Sequence, residues 1–154
     1  MEYRSNYKNY RVRSPIKSFR DLEVYQKTIE LSDEITNLSF LNKEAFKKDN
    51  EEIKSIAESI PKLIAESYGD KFDSKELAHK KLTEAITLLT NAITKIDLFR
   101  QRFLEDKEAM ETLTKLLTRY QRQKIKVLNL RKAWQRVFSN SKPQDTGYNT
   151  NFRK

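Results

Sequence analysis

The sequence predicts an all-α fold, an antiparallel up-down-up-down four-helix bundle with disordered N- and C-terminal tails. Three observations carry that expectation. Only two glycines and three prolines interrupt 154 residues, whereas a sheet protein of this length needs many positive-φ turn residues for its hairpins. A hydrophobic fraction of 37% beside a charged fraction of 34% suits long helices that each turn one face to water. Apolar residues also recur three and four apart through four long stretches joined by short breaks, and short connections make neighbouring helices antiparallel.

Residues 1–17 read as a basic flexible arm in which Tyr3, Tyr7 and Tyr10 alternate with basic groups and no helical stripe forms. The bundle is expected over residues 18–138. Ser18 is the first N-cap candidate, with Asp21 where a carboxylate favours the positive helix end. Leu22, Tyr25, Ile29, Leu31, Ile35 and Leu38 then mark a helix over 19–39. Phe40–Lys43 is a short connection. A second helix is expected over 44–68 on Phe46, Ile53, Ile56, Ile60 and Leu63/Ile64, kinked or broken at Pro61 and stopped by Gly69 as a C-terminal cap. Asp73 with Glu76 three residues on resembles a capping box and opens a third helix over 74–104, whose stripe from Leu77 through Ala85, Leu88/Leu89, Ala92, Ile96 and Phe99 to Phe103 is heptad-like. Asp106 caps a fourth helix over 107–138 on Met110, Leu113, Leu117, Tyr120, Val127, Leu130, Trp134 and Val137. Residues 139–154, rich in Asn, Ser and Gln with Pro143 and Gly147, are expected to form a flexible tail.

The net charge of +9 is unevenly placed. Residues 1–17 carry a net +4 and residues 18–111 a net −5. From Thr112 to Gln144 there is no acidic residue against nine basic ones. An ordinary solvated helix mixes signs and gains about 0.2–0.5 kcal/mol per i,i+4 pair. A helix that forgoes such pairs over this span accepts self-repulsion, and a polyanionic partner explains it. The candidate contacts are Lys115, Arg119, Arg122, Lys124, Lys126, Arg131, Lys132 and Arg136 on the last helix, with Arg4, Lys8, Arg11 and Arg13 in the arm. The partner expected is RNA, with DNA or an RNA–DNA hybrid as variants.

Other chemistry lacks its residues. Cysteine is absent, which excludes disulfides and thiolate metal sites and fits a reducing cytoplasm. His79 is the single histidine. Glu76 and His79 have the Glu-x-x-His spacing of di-iron bundles, but the second pair such a site needs is missing, so a solvent-facing histidine is the expectation. Nucleophile–base–orienter triads have almost no members to draw on, and two isolated glycines cannot cradle a phosphate. No enzyme, cofactor or metal is expected. No apolar run reaches the roughly 18 residues that cross a bilayer, and the basic N-terminal stretch has no apolar core of a secretory signal.

Two stretches resemble a known family, the small bacterial four-helix-bundle proteins encoded in intervening sequences of large-subunit ribosomal RNA genes. Its opening Phe-x-Asp-Leu-x-Val-Trp is matched by Phe19, Asp21, Leu22 and Val24, with Tyr25 in place of the tryptophan. Its Ser-Ile-Pro-x-Asn-Ile-Ala-Glu-Gly is matched by Ser59, Ile60, Pro61, Ile64, Ala65 and Glu66, with Leu63 for the asparagine and Ser67 for the glycine. The third helix shares Leu82 and Ala85 but has Leu88 and Asn91 where the family has serine and glutamate. The resemblance spans about residues 18–104. It also implies kinship with the accessory variability determinant of diversity-generating retroelements, a basic homopentameric bundle that works with a reverse transcriptase and its template RNA. The retained Ser-Ile-Pro and a basic last helix containing Trp134 favour that accessory role.

The function expected is therefore a non-enzymatic RNA-binding scaffold subunit. Tyr25, Tyr68, Tyr120 and Trp134 are the aromatic residues that one thin bundle would leave partly bare, and self-association would cover them. Tyr3, Tyr7 and Tyr10 could stack on unpaired bases or pack on a neighbouring subunit, and Trp134 reads first as a core or interface anchor. The competing class is a protein-interaction bundle of the same family that docks an acidic protein partner and never touches nucleic acid. A peripheral membrane helix fits less well, because Lys124 and Arg131 interrupt the apolar face it would need.

Overall fold

The computed structural model describes residues 18–146. Four α-helices account for most of them, and no strand occurs among the described residues. They are α1 (Glu23–Thr36), α2 (Lys47–Asp70), α3 (Lys75–Arg102) and α4 (Lys107–Thr146). α1 packs on α2, α2 on α3 and α3 on α4, and α4 returns to α1, which closes the up-down-up-down bundle. Residues 1–17 and 147–154 lie outside the described residues, and with them the expected arm and the far end of the expected tail.

The core is one seam repeated four times. Buried positions are Val24, Thr28, Leu31 and Ile35 on α1, continuing to Leu38, and Ile53, Ala57, Ile60, Ile64 and Ser67 on α2. On α3 they are Ala78, Leu82, Ala85, Leu89, Ala92, Ile96 and Phe99, and on α4 Ala109, Leu113, Leu116, Tyr120, Gln123 and Val127. In every helix the steps alternate four and three, the 3.5-residue period that keeps a seam facing its partners in a left-handed bundle. Only the α3 repeat is evident from apolar residues alone. On α4 the stripe expected on Met110, Leu117 and Val137 is displaced by one residue to Ala109 and Leu116, and Val137 is exposed. The buried hydroxyls of Thr28 and Ser67 are satisfied within their own helices. Thr28 Oγ1 donates to the Val24 carbonyl at 2.7 Å, and Ser67 Oγ donates to that of Ile64 at 2.7 Å.

Several boundaries differ from expectation for local reasons. Ser18 and Asp21 do form a reciprocal capping box, but it closes a single 3-10 turn, Phe19–Asp21. Leu22 then adopts an extended conformation and α1 starts afresh at Glu23. α2 runs unbroken through Pro61, whose ring is buried. Gly69 is not a cap: the helix continues to Asp70, and Lys71 keeps right-handed helical angles, so no left-handed residue is needed. α3 is capped by Ser74, whose Oγ accepts from the Leu77 amide at 3.1 Å, while Asp73 sits in the turn before it. Asp106 caps α4 as expected, accepting from the Ala109 amide at 3.1 Å. The backbone of α4 stays helical to Thr146, past the expected end at 138, so Pro143 does not terminate it.

An aromatic group closes each end of the bundle. The α1–α2 connection, which contains the 3-10 turns Ser39–Asn42 and Glu44–Phe46, brings Phe40 and Phe46 onto Phe103, with ring centroids 4.9 and 5.2 Å away. At the opposite end Tyr68 meets Phe72 edge-on at 5.6 Å and Trp134 at 6.5 Å. Two lysines of α3 tie it to α2. Lys81 pairs with Asp70 and Glu66, and Lys95 with Asp49 and Glu52, while Arg102 also reaches Asp49.

Candidate nucleic-acid interface

The seam of α4 decides where its basic residues go. Residues beside a buried seam lean over the neighbouring helix, whereas those opposite it face water. At 14 residues against 40, α1 spans about 21 Å and α4 about 60 Å at 1.5 Å per residue. α1 therefore flanks only part of α4.

On that flank Arg119 pairs with Glu34, and Lys126 Nζ meets Glu23 Oε1 at 2.6 Å. The two glutamates are eleven residues apart, three helical turns, and so share one side of α1. That spacing was available in the sequence, but pairing it with α4 required the bundle order. On the other flank Arg131 Nη1 donates to Thr83 Oγ1 of α3 at 2.9 Å, and Lys124 is half-buried. Lys115 makes an exposed i,i+4 pair with Glu111 at 3.6 Å, worth at most a few tenths of a kcal/mol.

Arg122, Lys132 and Arg136 remain exposed, and with Lys124 they have no acidic partner among the described residues. The single basic surface expected of α4 is thus two internally engaged flanks and an outer ridge. Arg122 to Arg136 spans fourteen residues, about 21 Å of helix. Arg4, Lys8, Arg11 and Arg13 lie outside the described residues.

Between α1 and α4 the outer ridge borders a crevice of about 140 Å³ lined by Lys27, Leu31, Arg119, Arg122, Gln123 and Lys126. Gln123 belongs to the seam and is 4% exposed, and its Oε1 has no hydrogen-bond partner among the described residues. One turn earlier Tyr120 is fully buried, and its hydroxyl is likewise without a partner among the described residues. Burial pushes the Tyr120 phenol well above its ordinary pKa, Glu34 adding to the shift.

The far end of α4 joins the second aromatic group. Lys71, in the α2–α3 turn, places its Nζ 4.6 Å from the Tyr68 ring centroid, 5.1 Å from that of Phe72 and 4.9 Å from that of Trp134. A cation among three ring faces gains from their quadrupoles, while burial lowers the ammonium's pKa. Trp134 packs on the edge of the core, the anchoring place expected for it. His79 is half-buried beside Arg131 and Trp134, not solvent-facing. No group of three or more His, Cys, Asp or Glu residues that could hold a metal ion occurs among the described residues.

Two of the four aromatic residues expected to seek a neighbouring subunit are covered by their own bundle. Tyr120 is fully buried and Tyr68 is 8% exposed. No helix among the described residues is long and apolar enough to cross a membrane. Comparison of the chain with protein-family models, with curated proteins and with solved structures finds no match.

Proposed function

We propose that the protein is a non-enzymatic RNA-binding subunit whose contact surface is the outer ridge of α4. The observation that carries this reading is the set of exposed cations, Arg122, Lys132 and Arg136, on a helix with no acidic residue from 112 to 144. A helix stabilised only for itself gains from mixing signs on its solvent face. On its flank toward α1 this helix has Glu34 and Glu23 to answer Arg119 and Lys126, and on its ridge it has no acidic partner among the described residues. Phosphates neutralised by such a ridge release condensed counterions, which gives affinity without sequence preference.

The resemblance of the first two helices to the ribosomal intervening-sequence family extends the reading. It suggests a cytoplasmic homopentamer that accompanies a reverse transcriptase and its template RNA, in which repetition of the ridge around an axis would add weak contacts through multivalency. A monomer mass of 18.3 kDa in sedimentation equilibrium at micromolar concentration would refute the pentamer and leave the ridge untouched.

The test of the ridge is a salt titration of RNA affinity. Each phosphate neutralised contributes about 0.7–0.9 to the slope of log affinity against log salt. Replacing Arg122, Lys132 and Arg136 together with Gln is expected to lower that slope by about 2 to 3 and to leave helical content unchanged. Wild-type affinity and slope in the triple variant would remove the ridge as the nucleic-acid surface. Displacement of bound RNA by heparin but not by an acidic peptide separates this reading from docking of an acidic protein, which would use the same cations.

A further inference from the structure

Lys27 and Leu31 stand one turn apart on α1, while Arg119, Arg122, Gln123 and Lys126 recur three and four apart on α4, so each set keeps to one side of its helix. Packing of the two helices brings both sets around the crevice of about 140 Å³. Four of its six lining residues are cationic and none is acidic. Leu31 and Gln123 are its buried members.

Gln123 gives the crevice its meaning. A buried amide costs stability unless its polar atoms are paired, yet its Oε1 has no partner among the described residues. Packing alone would favour an apolar residue at that seam position. The amide carries an acceptor and N–H donors, and a half turn about its last torsion exchanges them within the same packed volume. Beside four cations, the ligand that uses the donors is an anion.

The cations are held in place. Arg119 pairs with Glu34, Lys126 with Glu23, and Lys27 with Glu30 at 3.7 Å. Such exposed pairs add little stability. They do fix where the side chains sit, and donors are left over, since a guanidinium has five N–H groups and an ammonium three. Arg122 has no acidic partner among the described residues. Donors converging from two helices suit a tetrahedral anion, which presents oxygens on several sides, better than a planar carboxylate, which presents two. The crevice has room for several water molecules, and so for one phosphate. Charge narrows the choice further. An internal phosphodiester carries one negative charge, whereas a phosphate monoester carries about −1.5 to −2 and three strong acceptor oxygens.

We infer that the α1–α4 crevice is a binding site for inorganic phosphate or a phosphate monoester. Gln123 donates an amide N–H, and Lys27, Arg119, Arg122 and Lys126 neutralise the charge. The site stands apart from the reading of the ridge, with which it shares Arg122 alone.

Inorganic phosphate is the probe, titrated calorimetrically into the full chain in chloride at constant ionic strength. Saturable binding at one site per chain is expected. Dimethyl phosphate, with the single charge of a diester, is expected to bind about 10-fold or more weakly. Lys27→Gln and Gln123→Met are each expected to weaken phosphate about 10-fold, the effect of losing one hydrogen bond to a charged group. Lys62→Gln, exposed on α2, is expected to leave binding unchanged. Lys27 is exposed as well, so its variant keeps the fold, which far-UV circular dichroism checks. Two arms separate the sources of the phosphate. Preference for a 5′-phosphorylated RNA strand over its 5′-hydroxyl counterpart, lost in Lys27→Gln, assigns the site to a strand end. Equal affinity for the two strands, with adenosine 5′-monophosphate binding as phosphate does, assigns it to a free small molecule.

Absence of saturable phosphate binding would overturn the site, as would wild-type binding by both Lys27→Gln and Gln123→Met. Equal affinity for dimethyl phosphate or acetate, or an equal loss in Lys62→Gln, would also overturn it. The ridge is decided by the salt slope of RNA affinity, so the two readings fail separately.

Discussion

Tyr120→Phe is expected to stabilise the protein, although it removes an atom from the centre of the core. The ring of Tyr120 is fully buried in the α4 seam, and its hydroxyl has no hydrogen-bond partner among the described residues. A buried hydroxyl has given up its water, and without a replacement it costs about 1–3 kcal/mol. Phenylalanine keeps the ring and its contacts and leaves a gap of a single oxygen, so the net gain expected at neutral pH is about 1–2 kcal/mol. For a chain of this length that raises Tm by about 2–8 °C.

The pH dependence gives a second, independent reading of the same atom. The folded state holds the Tyr120 phenol protonated well above its ordinary pKa, whereas the unfolded chain ionises near pH 10. Stability tied to this group is complete below pH 10 and is lost as pH rises toward the folded value, because the unfolded state alone releases the proton. The phenylalanine variant has no such loss. Its advantage over the wild type is expected to grow by about 1.4 kcal/mol between pH 9 and pH 11, and lysine titration, common to both proteins, cancels in the difference. Denaturant unfolding at both pH values measures each term. A phenylalanine variant less stable than wild type by 1 kcal/mol or more at neutral pH would show that the hydroxyl has a partner, and the reasoning fails.

Two further substitutions test the helix ends and the α2–α3 clamp. Ser74→Ala is expected to cost about 1 kcal/mol by removing the α3 cap, while Asp73→Ala costs much less. Thermal unfolding of the pair distinguishes the two caps, and equal losses would contradict the assignment. Hydrogen bonds from Arg102 and then Lys95 hold the Asp49 carboxyl below its ordinary pKa of 3.8. Its contribution is therefore present above that value and lost as pH falls through the folded one. Asp49→Asn is expected to make the decline in unfolding midpoint below pH 4 shallower, and an unchanged acid limb would show that this carboxylate is not among those responsible.

The fold was legible because one property, apolar spacing, carries it. Leu82, Leu89 and Ile96 announce their seam without help, and Asp106 stands alone at its helix start. Adjacent candidates were not separable. Asp73 and Ser74 are both good capping residues, and the choice between them was made by the preceding turn, where the Asp70 carbonyl accepts from both of their amides at 2.9 and 2.7 Å. Gly69 offered a freedom the backbone did not use. On α4 a glutamine holds a seam position, so a reading by apolar identity slid to Met110 and Leu117.

The proposed interface is legible in composition and not in geometry. The acid-free run pointed to α4, yet whether Arg119 and Lys126 are available depends on Glu34 and Glu23, which lie some ninety residues away in the chain.

The unbroken four-and-three spacing of α4 also limits how this sequence can drift. From Ala109 to Trp134 every seam residue is indexed to the one before it. One inserted residue would rotate all that follows by about 100°, taking Trp134 off Tyr68 and Arg131 off Thr83 while turning part of the outer ridge inward. Insertions or deletions of seven leave the phase intact, and shifts of three or four displace it least. The short turns at 71–74 and 103–106 carry no such phase. Length variation among descendants of this chain should therefore collect in its connections, and the basic helix should change by substitution alone.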